Sequence, residues 1–261
     1  MDISRVDVLG VEISAINMDM ALAAVRNWVE HGERQYVCVT GVHGVMESQA
    51  DAELRSIHNR SGLTTPDGMP MVWAGKRAGA AWMSRVYGPD LMLAVLAEAE
   101  QRGWSSFFYG AAPDVPALLV DRLTERFPGI KVAGTYSPPF RELGEGEVVE
   151  TANMINESGA ALVWVGLSTP KQERWMAQLR PLLSAPVLFG VGAAFDFHAG
   201  RVSQAPPWMQ RNGLEWLYRL MKEPRRLWRR YLTNNPRFLI SVLRRRPQLL
   251  AHEHLDEASE L

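Results

Sequence analysis

The sequence of 261 residues lacks several features that would place a protein in a class. Its single cysteine, Cys38, excludes an intramolecular disulfide and a cysteine-rich zinc site. No apolar run approaches the roughly 20 residues of a membrane-spanning helix. The first residues show no basic segment ahead of an apolar core, so we expect no signal peptide and a cytoplasmic location. No GxGxxG follows a predicted strand, which counts against a nicotinamide-dependent oxidoreductase.

The net charge of −1 conceals a strong separation of charge along the chain. Between Arg219 and Arg246, ten basic residues stand against one acid, whereas the last nine residues hold four acids and no base. Nine of the ten basic residues are arginines, which bind phosphate in bidentate fashion, and tryptophan and tyrosine lie among them. The pattern favours an anionic membrane surface as partner. Without a recognition helix or an RNA-binding signature, we expect no nucleic acid.

Strands and helices are predicted to alternate through the first 200 residues. The predicted strands are Val6–Val11, Gln35–Thr40, Trp104–Tyr109, Ile130–Gly134, Ala161–Gly166 and Val187–Val191. Between them, periodic apolar residues predict helices, among them Asn17–His31, Val45–Arg60, Val115–Phe127, Glu145–Ser158 and Lys171–Leu179. Pro66, Asp67 and Gly68 predict a turn. The alternation predicts an α/β fold with a mostly parallel sheet and helices on both faces.

The character of the sequence changes after about Val202, where short helices punctuated by proline are predicted. We therefore divide the chain into an α/β domain (1–201), a helical appendage rich in Arg and Trp (202–250) and an acidic tail (251–261) expected to be disordered. Apolar side chains in the appendage also suggest a homo-oligomer in solution.

Three predicted strands end at a glycine, namely Gly110, Gly166 and Gly192 at the ends of FFYG, VWVG and VLFGVG. A helix that opens just after such a glycine presents free amide groups and a positive dipole end. After Gly166, the helix also carries Lys171 in its first turn. These edges predict a nucleotide-like ligand at the carboxyl edge of the sheet.

Five longer motifs occur in order: TPDGMPMVW, RVYGPDLM, FFYGAAP, WVGLSTPKQERW and GVGAAFDFHAGRVSQAPPWMQRNGLEWLYRL. Together they resemble the WecG/TagA/CpsF family of bacterial glycosyltransferases over roughly Val8 to Phe238. The resemblance implies an inverting, metal-independent enzyme with a modified Rossmann-like fold and no cofactor. It implies transfer from a UDP-sugar donor to a polyprenyl-diphosphate-linked sugar acceptor, peripherally at the inner face of the cell membrane, in the synthesis of cell-surface polysaccharides.

The resemblance also implies roles for individual residues. Asp67 corresponds to the general base and Thr40 to a threonine of the acceptor pocket, while Pro170–Glu173 lies at the nucleotide-sugar site. Many members have an asparagine two residues after the threonine, whereas this chain has Val42 and then His43. The donor or acceptor sugar is therefore expected to differ from that of the best-known members.

The remaining candidates follow partly from the strands that end at glycine and partly from the family resemblance. The predicted substrate-binding residues are Gly110, Gly166, Lys171, Gln172, Glu173, Gly192, Tyr136 and His43. The predicted diphosphate and membrane contacts are Arg219, Arg225, Arg226, Arg229 and Arg230. No metal ligands are predicted, because no DxD motif occurs and cationic side chains with helix N-termini can offset the charge of a leaving diphosphate.

Each assignment has an alternative that the sequence leaves open. Asp67 could merely cap its turn, Lys171 and Glu173 could be a solvated first turn, and His43 and Tyr136 could be structural. For the whole chain, the alternative is a non-catalytic module that binds anionic lipid or nucleic acid through its basic helices.

Overall fold

The computed structural model describes residues 3–141 and 143–250. Its strands are β1 (Arg5–Val8), β2 (Val11–Ser14), β3 (Gln35–Thr40), β4 (Leu63–Pro66), β5 (Ser105–Gly110), β6 (Lys131–Tyr136), β7 (Leu162–Gly166), β8 (Val187–Gly190) and β9 (Gln248–Leu250). The helices as far as β8 are α1 (Met18–His31), α2 (Val42–Ala50), α3 (Ala52–Asn59), α4 (Met69–Arg77), α5 (Gly88–Arg102), α6 (Val115–Arg126), α7 (Glu145–Glu157) and α8 (Lys171–Leu179). After β8 come α9 (Ala194–His198), α10 (Pro207–Arg211), α11 (Glu215–Lys222) and α12 (Pro224–Arg244).

The centre of the protein is a six-stranded sheet in the order β4-β3-β8-β7-β5-β6, and every pair in it is parallel. Helices cover both faces, which confirms the predicted α/β class. One core lies between the sheet and α1, α5, α6 and α9, and a second lies between the sheet and α3, α7 and α8. In the first core, the indole of Trp164 stacks on Phe189, with ring centroids 4.3 Å apart. Because all six strands run in one direction, their carboxyl ends meet at one edge.

The first predicted strand, Val6–Val11, is wrong in its extent. The chain forms an antiparallel hairpin of β1 and β2, and it turns at Leu9 (φ 58°) and Gly10 (φ 87°). The apolar residues on both sides of Gly10 concealed this turn, which has two successive residues with positive φ. The hairpin belongs to a separate three-stranded sheet in which β9 pairs with the other side of β1.

The predicted helix Val45–Arg60 is also wrong, since it is two helices. The chain leaves helical geometry at Asp51 (φ −134°, ψ 95°), whose carboxylate caps α3 by accepting a hydrogen bond from the Leu54 amide at 2.9 Å. Asp is a favoured N-cap because its oxygen satisfies an amide that lacks a helical partner. The first of the two helices, α2, begins earlier than predicted, directly after β3.

The structure corrects three further expectations. The segment before Asp67 is a strand, β4, which lies at the edge of the sheet, where proline is tolerated. In the appendage, Pro224 starts α12 as predicted, but Pro236 lies inside that helix without ending it. The last described residues form β9 and are not helical. The predicted acidic tail, 251–261, lies outside the described residues, and the division into 1–201 and 202–250 remains a prediction.

A third core joins the hairpin to the rest of the molecule. It contains the inward side chains of β1 and β2, Met71 and Ala74 of α4, and Phe238 of α12. The appendage therefore packs against the hairpin as well as against the edge of the main sheet. Within the described residues, no helix combines the length and the apolar character needed to cross a bilayer.

Candidate active site

A cleft of about 360 Å³ opens at the carboxyl edge of the main sheet. Its floor is formed by the residues that follow β3, β4, β7 and β8, and its outer wall by α11 and α12 of the appendage. In open parallel sheets, ligands bind in the crevice outside the carboxyl ends of the strands. The cleft brings together six of the predicted site residues, namely Asp67, His43, Gln172, Gly192, Arg219 and Arg230.

Asp67 lies at the end of β4, where it is partly buried. Its amide donates to the carbonyl of Thr40 at 3.2 Å, and its Oδ1 accepts from the amide of Gly88 at 3.1 Å. Oδ2 accepts no hydrogen bond from any described residue. Burial raises the pKa of this carboxyl, and Glu215 raises it further, while Arg85 and Arg219 oppose the shift. The site thus holds an aspartate with one free oxygen and enhanced basicity.

Arg85 connects Asp67 with the appendage. Its Nε donates to the carbonyl of Asp67 at 2.6 Å and its Nη1 to Gln210 at 3.1 Å, while Nη2 pairs with Glu215. The guanidinium lies 3.9 Å from the centroid of the Tyr87 ring, and the Tyr87 hydroxyl donates to Glu215 at 2.9 Å. Both oxygens of Glu215 are therefore engaged by residues that flank the aspartate.

Gln172 presents a polar atom without a partner to the cleft. Its Nε2 donates to the Gly190 carbonyl at 3.1 Å and to Glu173 at 3.0 Å, which fixes the amide orientation. Its Oε1 is buried and unpartnered among the described residues, next to Gly192. An unsatisfied buried carbonyl costs about 1–3 kcal/mol. The arrangement suits a ligand that supplies an N–H or O–H donor.

Glu173 itself does not line the cleft. It is fully buried behind Gln172, where it accepts from Gln172 and, at 2.9 Å, from the Thr169 hydroxyl. Burial raises the pKa of this carboxyl. Its contacts hold from behind two residues that line the cleft, Gln172 and Thr169.

His43 lies on α2 and faces α12 across the cleft. Its Nδ1 lies 3.4 Å from the Asn234 amide and 3.5 Å from Glu47. Burial, followed by the charge of Arg230, lowers its pKa to about 4. The ring is therefore neutral at pH 7 and can accept or donate a single proton in a hydrogen bond.

Two arginines of the cleft have no carboxylate partner within residues 3–141 and 143–250. The Nε atoms of Arg219 and Arg230 are buried and unpaired, and the two guanidinium groups lie 5.9 Å from the ring centroids of Phe197 and Tyr231. Burial lowers the pKa of Arg230, and the charge of Arg219 contributes. Two adjacent cations without an ion-pair partner are typical of a site for an anionic ligand.

The other predicted residues lie outside the cleft lining. Thr40 is buried beneath it, and its hydroxyl has no partner among the described residues. Gly110 and Gly166 pair across neighbouring strands, and a Cβ on Gly110 would lie 2.9 Å from the Gly166 carbonyl, so these glycines permit close packing. The exposed or partly exposed remainder is Lys171, Tyr136, Arg225, Arg226 and Arg229. Their assigned roles remain predictions.

The sequence analysis assigned no role to several lining residues: Arg85, Tyr87, Ser168, Gln210, Glu215, Trp216 and Asn234. Arg85 and Tyr87 stand in RVYGPDLM, and Glu215 and Trp216 stand in GLEWLYRL. The motifs singled out these two segments, but only the folded structure shows that the segments meet at the cleft. Within the described residues, no group of three His, Cys, Asp or Glu side chains could hold a metal ion.

A parallel α/β sheet whose carboxyl edge holds a basic aspartate and two arginines without an ion-pair partner is typical of a site that binds an anionic ligand. Comparison with known proteins gives the class. The sequence model of the Glycosyl transferase WecG/TagA/CpsF family matches residues 6–251, and the chain belongs to that family. It is a glycosyltransferase.

Two curated relatives carry the same name, N-acetylglucosaminyldiphosphoundecaprenol N-acetyl-beta-D-mannosaminyltransferase. The protein of Bacillus spizizenii is 35% identical over 198 residues, which cover 76% of this chain and 74% of that protein. The protein of Bacillus subtilis strain 168 is 29% identical over 236 residues, which cover 90% of this chain and 80% of that protein.

Proposed function

We propose that this glycosyltransferase moves an N-acetylhexosaminyl group from a UDP-sugar to a polyprenyl-diphosphate-linked sugar, with inversion and without a metal ion. The observation that carries the proposal is the cleft, where a basic aspartate lies with two arginines that form no ion pair with a described residue. The names of the two relatives support the type of acceptor and of transferred sugar.

Asp67 acts as the general base in this proposal. Inverting transfer needs a carboxylate that removes the proton of the acceptor hydroxyl as that oxygen attacks the anomeric carbon from the side opposite the leaving UDP. Its Oδ2 is free for this contact, while the Gly88 amide holds Oδ1. Base catalysis of this kind contributes about 10²–10⁴-fold.

Arg219 and Arg230 bind diphosphate in this proposal. Departure of UDP places negative charge on its terminal phosphate, and preorganised cations in a partly dehydrated site stabilise that charge strongly. Their guanidinium groups reach the cleft from α11 and α12 and form no ion pair with a described residue. Arg226 pairs instead with Glu223 outside the cleft. Positive side chains thereby perform the task that a metal ion performs in other transferases.

Gln172 contacts the nucleotide-sugar in this proposal. Its buried Oε1 accepts from a donor such as the imide N–H of uracil or the amide N–H of an N-acetylated sugar. The neighbouring Ser168 (φ 69°) and Gly192 (φ 52°) bring the backbone close to that position. In the same cleft, Val42 stands where many members have an asparagine, and His43 follows it, so the choice of sugar is expected to depend on this pair.

The lipid of the acceptor leaves the cleft along α12 in this proposal. Phe238 and Leu239 line the cleft, and Leu239 is 62% exposed at its mouth. Leu232 and Leu243 are also exposed and lie seven and four residues away on the same side of the helix. The exposed Arg225 and Arg229 lie one turn apart and suit lipid phosphates. The enzyme thus works peripherally on an anionic membrane surface.

The first experiment measures transfer of labelled sugar to a short-chain prenyl-diphosphate N-acetylglucosamine, in EDTA. The donors are UDP-N-acetylmannosamine, UDP-N-acetylglucosamine and UDP-glucose, and the product's anomeric configuration is determined by NMR. We expect one donor to be used with inversion. Asp67→Asn should lower kcat by about 10²–10⁴-fold with the donor KM little changed. Asp114→Asn, at an exposed position away from the cleft, is the control.

Each arm of this experiment can fail separately. Activity that disappears in EDTA and returns with Mn²⁺ would refute metal independence. Full activity of Asp67→Asn would remove the aspartate from its role as base. If no donor is used while vesicles or nucleic acids bind firmly, the non-catalytic alternative is correct.

A further inference from the structure

We propose that Glu215 is a positioning residue, which couples the docking of α11 to the placement and charge environment of Asp67 through Arg85 and Tyr87. The inference rests on the proposed role of Asp67 as the base. Glu215 touches no reacting atom in this account, because both of its oxygens are occupied by protein groups.

Two separate chains of contacts lead from Glu215 to the aspartate. In the first, Glu215 holds Arg85, whose Nε donates to the Asp67 carbonyl at 2.6 Å. In the second, Glu215 accepts from the Tyr87 hydroxyl, and the next residue, Gly88, donates its amide to Oδ1 of Asp67 at 3.1 Å. One route fixes the backbone of the aspartate and the other fixes its carboxylate.

The Arg85–Glu215 ion pair is shielded from solvent, so its loss should affect the site more than loss of an exposed pair would. Only 15% of the Arg85 side chain and 16% of the Glu215 side chain are exposed. Breaking a shielded ion pair from one side leaves the other charge without compensation, which is far more costly than loss of a surface pair. Without α11, Arg85 would keep its positive charge beside Asp67 and lose the carboxylate that balances it.

The charges around Asp67 determine the sign of the effect. Arg85 and Arg219 lower its pKa and Glu215 raises it. Two further titratable groups lie in this cluster, namely Tyr87, which interacts with Asp67, and Asp90, which interacts with Arg85 and Glu215. The other walls of the cleft bring His43 from α2 and Arg230 from α12. A base works only when deprotonated, so the acidic limb of kcat follows the pKa of Asp67.

The test compares pH profiles of kcat for the full-length enzyme and four variants. Glu215→Gln keeps the shape of the side chain and one acceptor oxygen for Arg85, and its NH2 group can donate to the Tyr87 hydroxyl oxygen, but it loses the charge, so the acidic limb should move to lower pH. Arg85→Gln removes the opposing charge, so the limb should move to higher pH. Glu215→Ala should in addition lower plateau kcat by roughly ten- to a hundredfold, with the KM of the donor less affected.

Glu98→Gln is the matched control. Glu98 also has a 16% exposed side chain and pairs with an arginine, Arg26 at 2.5 Å, but it lies on α5 away from the cleft. It should leave both the limb and the plateau unchanged. If the Glu215 and Arg85 variants move the limb in the same direction, or no more than Glu98→Gln does, the inference is wrong.

Hydrogen exchange provides a readout that does not require turnover. In Glu215→Ala, exchange should quicken both in α11 and in residues 67–70 and 85–88. If it quickens in α11 alone, Glu215 merely anchors the helix and the inference fails, whatever the activity. If the wild-type enzyme transfers no sugar, the proposed function fails, and the exchange data still decide whether α11 and the aspartate are coupled.

Discussion

The α/β body and the C-terminal appendage are held together by different forces. All four residues of β8 and four of the five of β7 are buried, so apolar burial fixes the sheet. By contrast, α11 has no buried residue, and the 21 residues of α12 have only Leu227 and Phe238. Apolar contact is non-directional and grows with area, whereas the appendage depends on a few directed polar contacts. The outer wall of the cleft is therefore built on the less firmly anchored region.

Replacing one tryptophan in each region should expose this difference most clearly. Trp164 is fully buried in the body and Trp228 is 47% exposed on α12. We expect Trp164→Ala to lower the free energy of unfolding by about 3–5 kcal/mol and Trp228→Ala by less than about 1 kcal/mol. Urea unfolding followed by circular dichroism measures both. Equal losses would show that the appendage shares the packing of the body.

Acid should destabilise the body through His58. This ring is fully buried, and burial lowers its pKa from 6.5 to about 4. The unfolded chain therefore binds the proton first, so stability is complete above pH 6.5 and falls towards pH 4, by roughly 3 kcal/mol at most. His58→Gln should flatten this part of the stability profile. The raised pKa values of Asp67 and Glu173 act with the opposite sign and are common to both proteins.

His43, at the boundary with the appendage, serves as the comparison for that titration. Its pKa is also lowered to about 4, but its environment includes Arg230 of α12. If His43→Gln flattens the profile as much as His58→Gln does, the appendage stays docked throughout the acid range. A smaller change means that α12 separates before the body unfolds.

Membrane attachment should depend on the appendage and not on the body. Arg225→Gln with Arg229→Gln removes two exposed charges one turn apart on α12. Each basic residue near an anionic leaflet contributes about 1 kcal/mol, so the double variant should bind phosphatidylserine vesicles roughly 30-fold more weakly. Arg122→Gln with Arg126→Gln has the same spacing on α6 of the body. Similar weakening by both pairs would place the membrane contact elsewhere.

The smallest effect is expected where the appendage returns to the hairpin. Arg245 pairs with Asp7 at 2.6 Å, and its side chain is 61% exposed. Exposed pairs contribute about 0.2–1 kcal/mol, so Arg245→Gln should lower the free energy of unfolding by less than about 1 kcal/mol. Urea unfolding at low and high salt tests this. A larger loss would mean that the pair holds the ends together by more than surface attraction.

The fold class could be predicted because it rests on local periodicity, which alternates between strand and helix along the body. The errors fall where a local signal is silent or misleading. The turn at Leu9 and Gly10 interrupts an apolar run, and Asp51 breaks a helix by capping the next one. Pro236 stays within α12 because that stretch is exposed, where water can satisfy the carbonyl left without a partner.

The site could be predicted only in part, for a different reason. Asp67, Gln172 and Arg219 stand in motifs that carry a family resemblance, and the structure places all three on one cleft. Glu215 stands in the same motif as Arg219, but the sequence assigned it no role, since its partners lie about 130 residues away in sequence and are joined to it only by folding. Local sequence reports which side chains are present, and tertiary contact decides which of them meet.

The pairing of β9 with β1 gives the appendage a second attachment to the body. The chain enters the appendage after α9 and leaves it at β9, which pairs with Arg5–Asp7 of the hairpin. The body therefore holds the appendage at both ends. A segment that is held at both ends cannot rotate outward as a rigid lid. It can only shift locally or detach at one end. The attachment at β9 consists of three residue pairs with β1, and it can separate at a small fraction of the global free energy of unfolding. A change at the last described residues is therefore expected to reach the outer wall of the cleft through α12.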